Sequence, residues 1–150
     1  MAGCRSISDS IASMRMSAKG KAFFDTNVLL YLISADSDKA QRAEELVADG
    51  GVISVQVLNE FASVASRKLR MTIPEIQECL DPIRGICGVE PVTLETHLRG
   101  LDLVQRYGFS VYDSMIVAAA LSAHCEILYS EDWQDGQRID GLLIRNPFAK

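Results

Sequence analysis

The sequence predicts an α/β protein built on a central, mostly parallel sheet with helices on both faces. Short apolar runs of strand length alternate with stretches of helical periodicity, glycines and prolines fall between them, and no Asn-Gly-type hairpin signal joins two strand-like runs. Parallel strands need long crossovers, and helices supply them.

The elements follow in order. Ala22–Asp25 reads as a short buried strand and Asn27–Ser34 as a helix. Lys39–Ala48 is a second helix, closed by Gly50-Gly51, where glycine accepts the left-handed turn of a helix end. Val52–Ser54 is a strand whose Ser54 can cap a helix running to about Leu69. Pro74, suited to a first helical turn, opens a helix to about Ile86 that Gly85 and Gly88 terminate. Pro91–Thr93 is expected as a brief strand, followed by a helix over Leu94–Tyr107 that stops at Gly108. Val111–His124 is apolar on nearly every side and so predicts a buried helix. Ile127–Ser130 and Leu142–Ile144 complete the strands.

At 150 residues the chain fits one domain, and 48% hydrophobic content is ordinary for a globular core. Residues 1–20, rich in Ser, Ala and Gly, read as a flexible N-terminal extension, with Met14 or Met16 as alternative starts, before a domain over residues 21–150. The longest apolar run, Met115–Leu121, is seven residues, against the roughly 20 that cross a bilayer, so no membrane association is expected. The N-terminus lacks the pattern of a secretory signal. The four cysteines form no Cys-x-x-Cys pair, and reduced thiols in a cytoplasm are the simplest account. The net charge of −5 argues against indiscriminate binding of long nucleic acid. It is uneven: residues 1–21 carry +3 (Arg5, Arg15, Lys19 and Lys21 against Asp9), which leaves −8 for residues 22–150.

That negative charge includes four carboxylates set in or after apolar stretches: Asp25 in Phe-Phe-Asp-Thr-Asn-Val, Glu60 in Val-Leu-Asn-Glu-Phe, Asp113 in Val-Tyr-Asp-Ser-Met-Ile, and Asp132 in Ser-Glu-Asp-Trp. Ionised carboxylates in apolar surroundings need compensation, and few basic residues lie beside them. Hard oxygen donors without cysteine or histidine suit Mg²⁺ or Mn²⁺ rather than zinc. Ligands of open parallel sheets bind outside the carboxyl ends of the strands, where Asp25 and Asp132 fall, with Glu60 and Asp113 early in the helices. Each acid also has a plainer reading. Asp25 can simply cap a helix, Ser110-x-x-Asp113 resembles a capping box, and Glu60 can be solvated. Spacing leaves open which of Glu131, Asp132 and Asp135 joins the others. His97 and His124 read as ordinary helix residues.

Together these motifs, spread from Ala22 to Asn146, resemble the PIN-domain nucleases and more narrowly the VapC-type toxins of bacterial toxin-antitoxin pairs. The resemblance implies a three-layer α/β/α fold and a Mg²⁺- or Mn²⁺-dependent endoribonuclease. Asp25, Glu60 and Asp113 match the family's three core acids and Asp132 its more variable fourth. Ser130 matches a supporting hydroxyl residue, and Asn27 the polar residue that follows the first acid. It further implies an RNA substrate, an antitoxin that covers the site, and a homodimer, for which Lys39–Ala48 and Pro74–Ile86 are candidate helices. Arg67, Lys68 and Arg70 are candidate RNA-backbone contacts, or cations complementing a helix C-terminus. Three other readings compete. A phosphatase of the haloacid dehalogenase type would need a second Asp where Asn27 stands. A non-catalytic protein-binding α/β module would carry the acids as scaffold, and an RNA-processing nuclease without an antitoxin would share the same site.

Overall fold

The computed structural model describes residues 21–149, so the extension expected over 1–20 lies outside the described residues. The chain alternates as the periodicity implied: β1 (Ala22–Phe24), α1 (Thr26–Tyr31), α2 (Ser37–Ala48), β2 (Gly51–Ser54), α3 (Val55–Arg67), α4 (Ile73–Ile86), β3 (Cys87–Glu90), α5 (Leu94–Tyr107), α6 (Val111–Ser122), β4 (Ile127–Tyr129), β5 (Arg138–Ile139) and β6 (Leu142–Arg145).

The sheet order is β3-β2-β1-β4-β6-β5, with every pair parallel except β5–β6. From the central β1 the chain moves outward through β2 and β3, then returns to β4 on the other side. The strand order therefore reverses at β1–β4, the place where an open parallel sheet leaves a crevice at its carboxyl edge. Registry there is tight: Phe24 pairs with Tyr129, which sets Asp25 and Ser130 side by side as the next residues out.

Local chemistry explains the helix starts. Asp25, Ser54, Thr72, Thr93 and Ser110 each accept a backbone N–H as N-cap, and Thr72 forms a reciprocal capping box with Glu75. Ser114 to Leu121 of α6 are all buried, as its all-round apolar sequence required. The core is completed by Phe23, Leu29, Ile53, Phe61, Leu128 and Ile144, each fully buried. Gly51 is required by space: a Cβ there would lie 2.6 Å from Phe24 Cε2 and 2.7 Å from the Ala22 carbonyl oxygen.

Two elements differ from the expectation. The third strand is Cys87–Glu90 rather than Pro91–Thr93, because Gly88, read as a helix stop, instead sits opposite Val52 on an edge strand. An antiparallel hairpin, β5–β6, closes one side of the sheet. Its turn is Asp140-Gly141, with φ of 49° and 88°, the pair of positive angles that Asp-Gly accommodates in a type I′ turn. That dipeptide was visible in the sequence, but the two-residue strand before it was too short to register as one. Among the cysteines, Cys87 and Cys125 are free and buried, and burial pushes their thiols up to about 12 and about 11. No helix among the described residues is long and apolar enough to cross a membrane.

Candidate active site

Asp25 occupies the first position past β1 and is 6% exposed. Its Oδ1 accepts the Thr26 backbone N–H at 2.7 Å, and its Oδ2 accepts the Ser130 hydroxyl at 2.8 Å. The capping role is therefore real, and it leaves the second carboxylate oxygen engaged by Ser130 across the β1–β4 pair. Ser130, just past β4, is fully buried, and its Oγ also accepts Asn27 Nδ2 at 3.1 Å and the Asp132 backbone N–H at 3.2 Å.

Asn27 joins the two sides of the crevice. Its amide nitrogen also donates to Asp132 Oδ2 at 3.1 Å, while its oxygen accepts the Glu131 backbone N–H at 3.2 Å. These bonds separate the three acids that spacing left open. Asp132 turns toward Asn27 and adds its negative charge to the surroundings of Asp25. Glu131 points elsewhere, to Tyr31 and Lys39. Asp135 accepts the Asn146 backbone N–H at 2.9 Å and lies 3.9 Å from Arg145.

Glu60, half-buried in the second turn of α3, is held at both oxygens. Oε2 accepts the Thr26 hydroxyl at 2.7 Å and Oε1 accepts Gln56 Nε2 at 2.8 Å. Gln56 donates also to the Tyr112 carbonyl at 3.0 Å, which ties the start of α6, where Asp113 sits, to the Glu60 helix. Asp113 is exposed, its backbone N–H capped by Ser110 at 3.2 Å. Thr26 and Gln56 escaped the sequence reading, although Gln56 stands four residues before Glu60, the spacing that puts two side chains on one helix face. Arg67, Lys68 and Arg70 are exposed, and Arg67 lies about 10 Å beyond Glu60 along the helix axis. His97 and His124 are exposed, and among the described residues neither forms an ion pair with the acids.

The electrostatics are those of a cluster of like charges. Burial, above all, pushes the Asp25 carboxyl from 3.8 up to about 6; the bonds from Ser130 and Thr26 oppose this, and the charges of Asp132 and Glu60 add to it. Among the described residues, no Lys, Arg or His forms an ion pair with Asp25, Glu60, Asp113 or Asp132. Nor, among the described residues, are three ligating side chains drawn together at metal-binding separation. The fit to Mg²⁺ or Mn²⁺ is thus one of donor chemistry: hard carboxylate oxygens, uncompensated by cations, on a buried anchor whose ionised form a divalent charge would favour.

An open, mostly parallel α/β sheet with carboxylates at its switch point defines a class of proteins that hold polar ligands at the strand ends. Within that class, the chain belongs to the PIN domain family, whose profile matches residues 22–141. Solved structures share the fold. One is a toxin-antitoxin complex from Klebsiella pneumoniae, with a TM-score of 0.66 and 22% identity, covering 85% of this chain and 98% of that one. Another is VapBC2 from Rickettsia felis bound to a DNA fragment from its promoter, with a TM-score of 0.60 and 21% identity over 83% of this chain and 97% of that one. A third is VapC20 of Mycobacterium tuberculosis, a Sarcin-Ricin loop cleaving toxin, with a TM-score of 0.59 and 19% identity over 72% and 87%. No curated protein matches the sequence.

Proposed function

We propose that this chain is a Mg²⁺- or Mn²⁺-dependent endoribonuclease, acting as the toxin of a toxin-antitoxin pair. The observation that carries the reading is the buried Asp25 beside Glu60 and Asp132, with no cation among the described residues ion-paired to any of the three. Carboxylates kept in such surroundings against their desolvation cost suit a bound divalent ion better than they suit scaffolding. The family match and the toxins among the fold relatives support the same reading.

A bound Mg²⁺ or Mn²⁺ would supply a polarised phosphoryl oxygen and a water acidic enough to attack near neutral pH. The residues divide the remaining work. Asp25 and Asp113 are the proposed principal ligands. Glu60, oriented by Thr26 and Gln56, and Asp132, oriented by Asn27, complete or position the shell. Ser130 fixes the Asp25 carboxylate, whose oxygens each keep acceptor capacity beyond the bonds from Ser130 and Thr26. Arg67, Lys68 and Arg70 would hold the RNA backbone farther along, without selecting sequence. An antitoxin would cover the acidic rim with a basic side chain, in the cytoplasm. A homodimer belongs to the proposal as well. The exposed Leu94, Leu98 and Leu101 form an apolar stripe on α5, whereas the exposed positions of α2, one of the helices first considered, are polar.

Cleavage of labelled single-stranded RNA tests the proposal, with Mn²⁺ or Mg²⁺, with chelator, and with Asp113→Asn. Cutting that needs the metal and is lost in the variant is the expected result. Absence of cutting, joined to no rise in melting temperature with Mn²⁺, would leave a protein-binding module as the better reading. A true ligand at 100 times its Kd stabilises the native state by about 2.7 kcal/mol, a shift easily seen.

A further inference from the structure

The loop that carries Asp132 is held from behind by a cluster outside the acid rim. Glu131, between Ser130 and Asp132, sends its carboxylate away from them: Oε1 accepts the Tyr31 hydroxyl at 2.5 Å and Oε2 accepts Lys39 Nζ at 3.2 Å. Lys39 Nζ also donates to the Tyr31 hydroxyl at 2.9 Å, closing a three-membered polar ring. The ammonium lies 4.6 Å from the centroid of the Tyr31 ring and 5.7 Å from that of Phe148, and these two rings meet edge to face at 4.6 Å. Tyr31 ends α1, Glu131 follows β4 and Phe148 is near the C-terminus, so three segments meet around the Lys39 ammonium in the first turn of α2.

The Glu131 backbone is fixed too, because its N–H donates to Asn27 Oδ1, the residue whose amide nitrogen holds Asp132. Pulled from both ends, Glu131 has one orientation. Side chains of Lys39 and Glu131 are 36% and 26% exposed, so water screens their attraction and bulk stability gains little from it. A pair of small energetic worth in which every donor is aimed at one loop residue is better explained by orientation than by stability.

We propose that Lys39 and Tyr31 are positioning residues, which hold Glu131 out of the acid rim and thereby present Asp132 to Asp25. The inference rests on the metallonuclease reading above. Without the ring, a second carboxylate next to Asp132 would be released, and the loop would have to be ordered at the moment an ion binds. Ordering that the free protein has already completed is a cost removed from binding.

The test uses the full chain and three variants: Lys39→Met, which keeps the aliphatic stem against the rings, Tyr31→Phe, which removes only the hydroxyl, and Lys39→Arg, which keeps a cation at Glu131. Mn²⁺ affinity is measured by calorimetry, and loop geometry by the emission of Trp133, the chain's single tryptophan and the residue after Asp132. Lys39→Met and Tyr31→Phe are expected to weaken Mn²⁺ binding about tenfold, the usual scale for partners behind a metal ligand, and to shift Trp133 emission before any metal is added. Lys39→Arg should stay close to wild type. Mn²⁺ binding by Lys39→Met and Tyr31→Phe as tight as wild type, or tighter, overturns the positioning role. A wild-type chain that binds no Mn²⁺ overturns the metallonuclease reading instead; unshifted Trp133 emission in Lys39→Met would then overturn the clamp separately.

Discussion

Replacing Asp25 with Asn should stabilise the metal-free protein at neutral pH, although it removes the most buried acid of the rim. The folded-state carboxyl sits at about 6, above its ordinary 3.8, so ionisation is harder in the native state than in the unfolded chain. The native state therefore loses stability as pH rises from the unfolded value through about 6, and the loss is complete above it. By linkage the cost grows from well under 1 kcal/mol at pH 4 to about 3 kcal/mol at pH 7.5. Asn carries no charge and keeps an acceptor for the Thr26 N–H, but its NH₂ meets a Ser130 Oγ that already accepts two bonds. That mismatch costs about 1 kcal/mol at both pH values, so it leaves the pH dependence intact. Urea unfolding in chelator, followed by circular dichroism at pH 4 and pH 7.5, measures the difference. The variant should gain about 2 kcal/mol relative to wild type between the two pH values. A difference that does not change with pH, or that moves the other way, would show that Asp25 is not the strained carboxylate described above. Saturating Mn²⁺ should reverse the order at pH 7.5, because only the wild type retains the ionised anchor.

Two further substitutions probe the scaffold. Ser114 is fully buried in α6, and its hydroxyl has no hydrogen-bond partner among the described residues, so Ser114→Ala should leave stability unchanged or raise it by about 1 kcal/mol, read from the urea midpoint. Gly51→Ala puts a methyl group against the Phe24 ring and the Ala22 carbonyl, and should cost about 1–3 kcal/mol in the same assay. Because Phe24 immediately precedes Asp25, Gly51→Ala should also weaken Mn²⁺ binding, measured by calorimetry at a temperature where the variant remains folded.

The sequence by itself determined the alternation of strands and helices, the caps, the buried character of α6 and the approximate place of the acids. All of these follow from periodicity and from chemistry within a few residues. Tertiary structure decided what depends on direction. Glu131, Asp132 and Asp135 are close in sequence and alike in chemistry, yet a single amide from Asn27, 105 residues away from Asp132, turns that carboxylate toward the rim, while Lys39 and Tyr31 turn its neighbour outward. The edge strand β3 and the hairpin β5–β6 were likewise set by pairing partners, against a glycine that looked like a stop and a strand of two residues. Local pattern determines where a residue lies along its element, whereas the aim of its side chain is fixed by hydrogen bonds from segments the chain brings together only on folding.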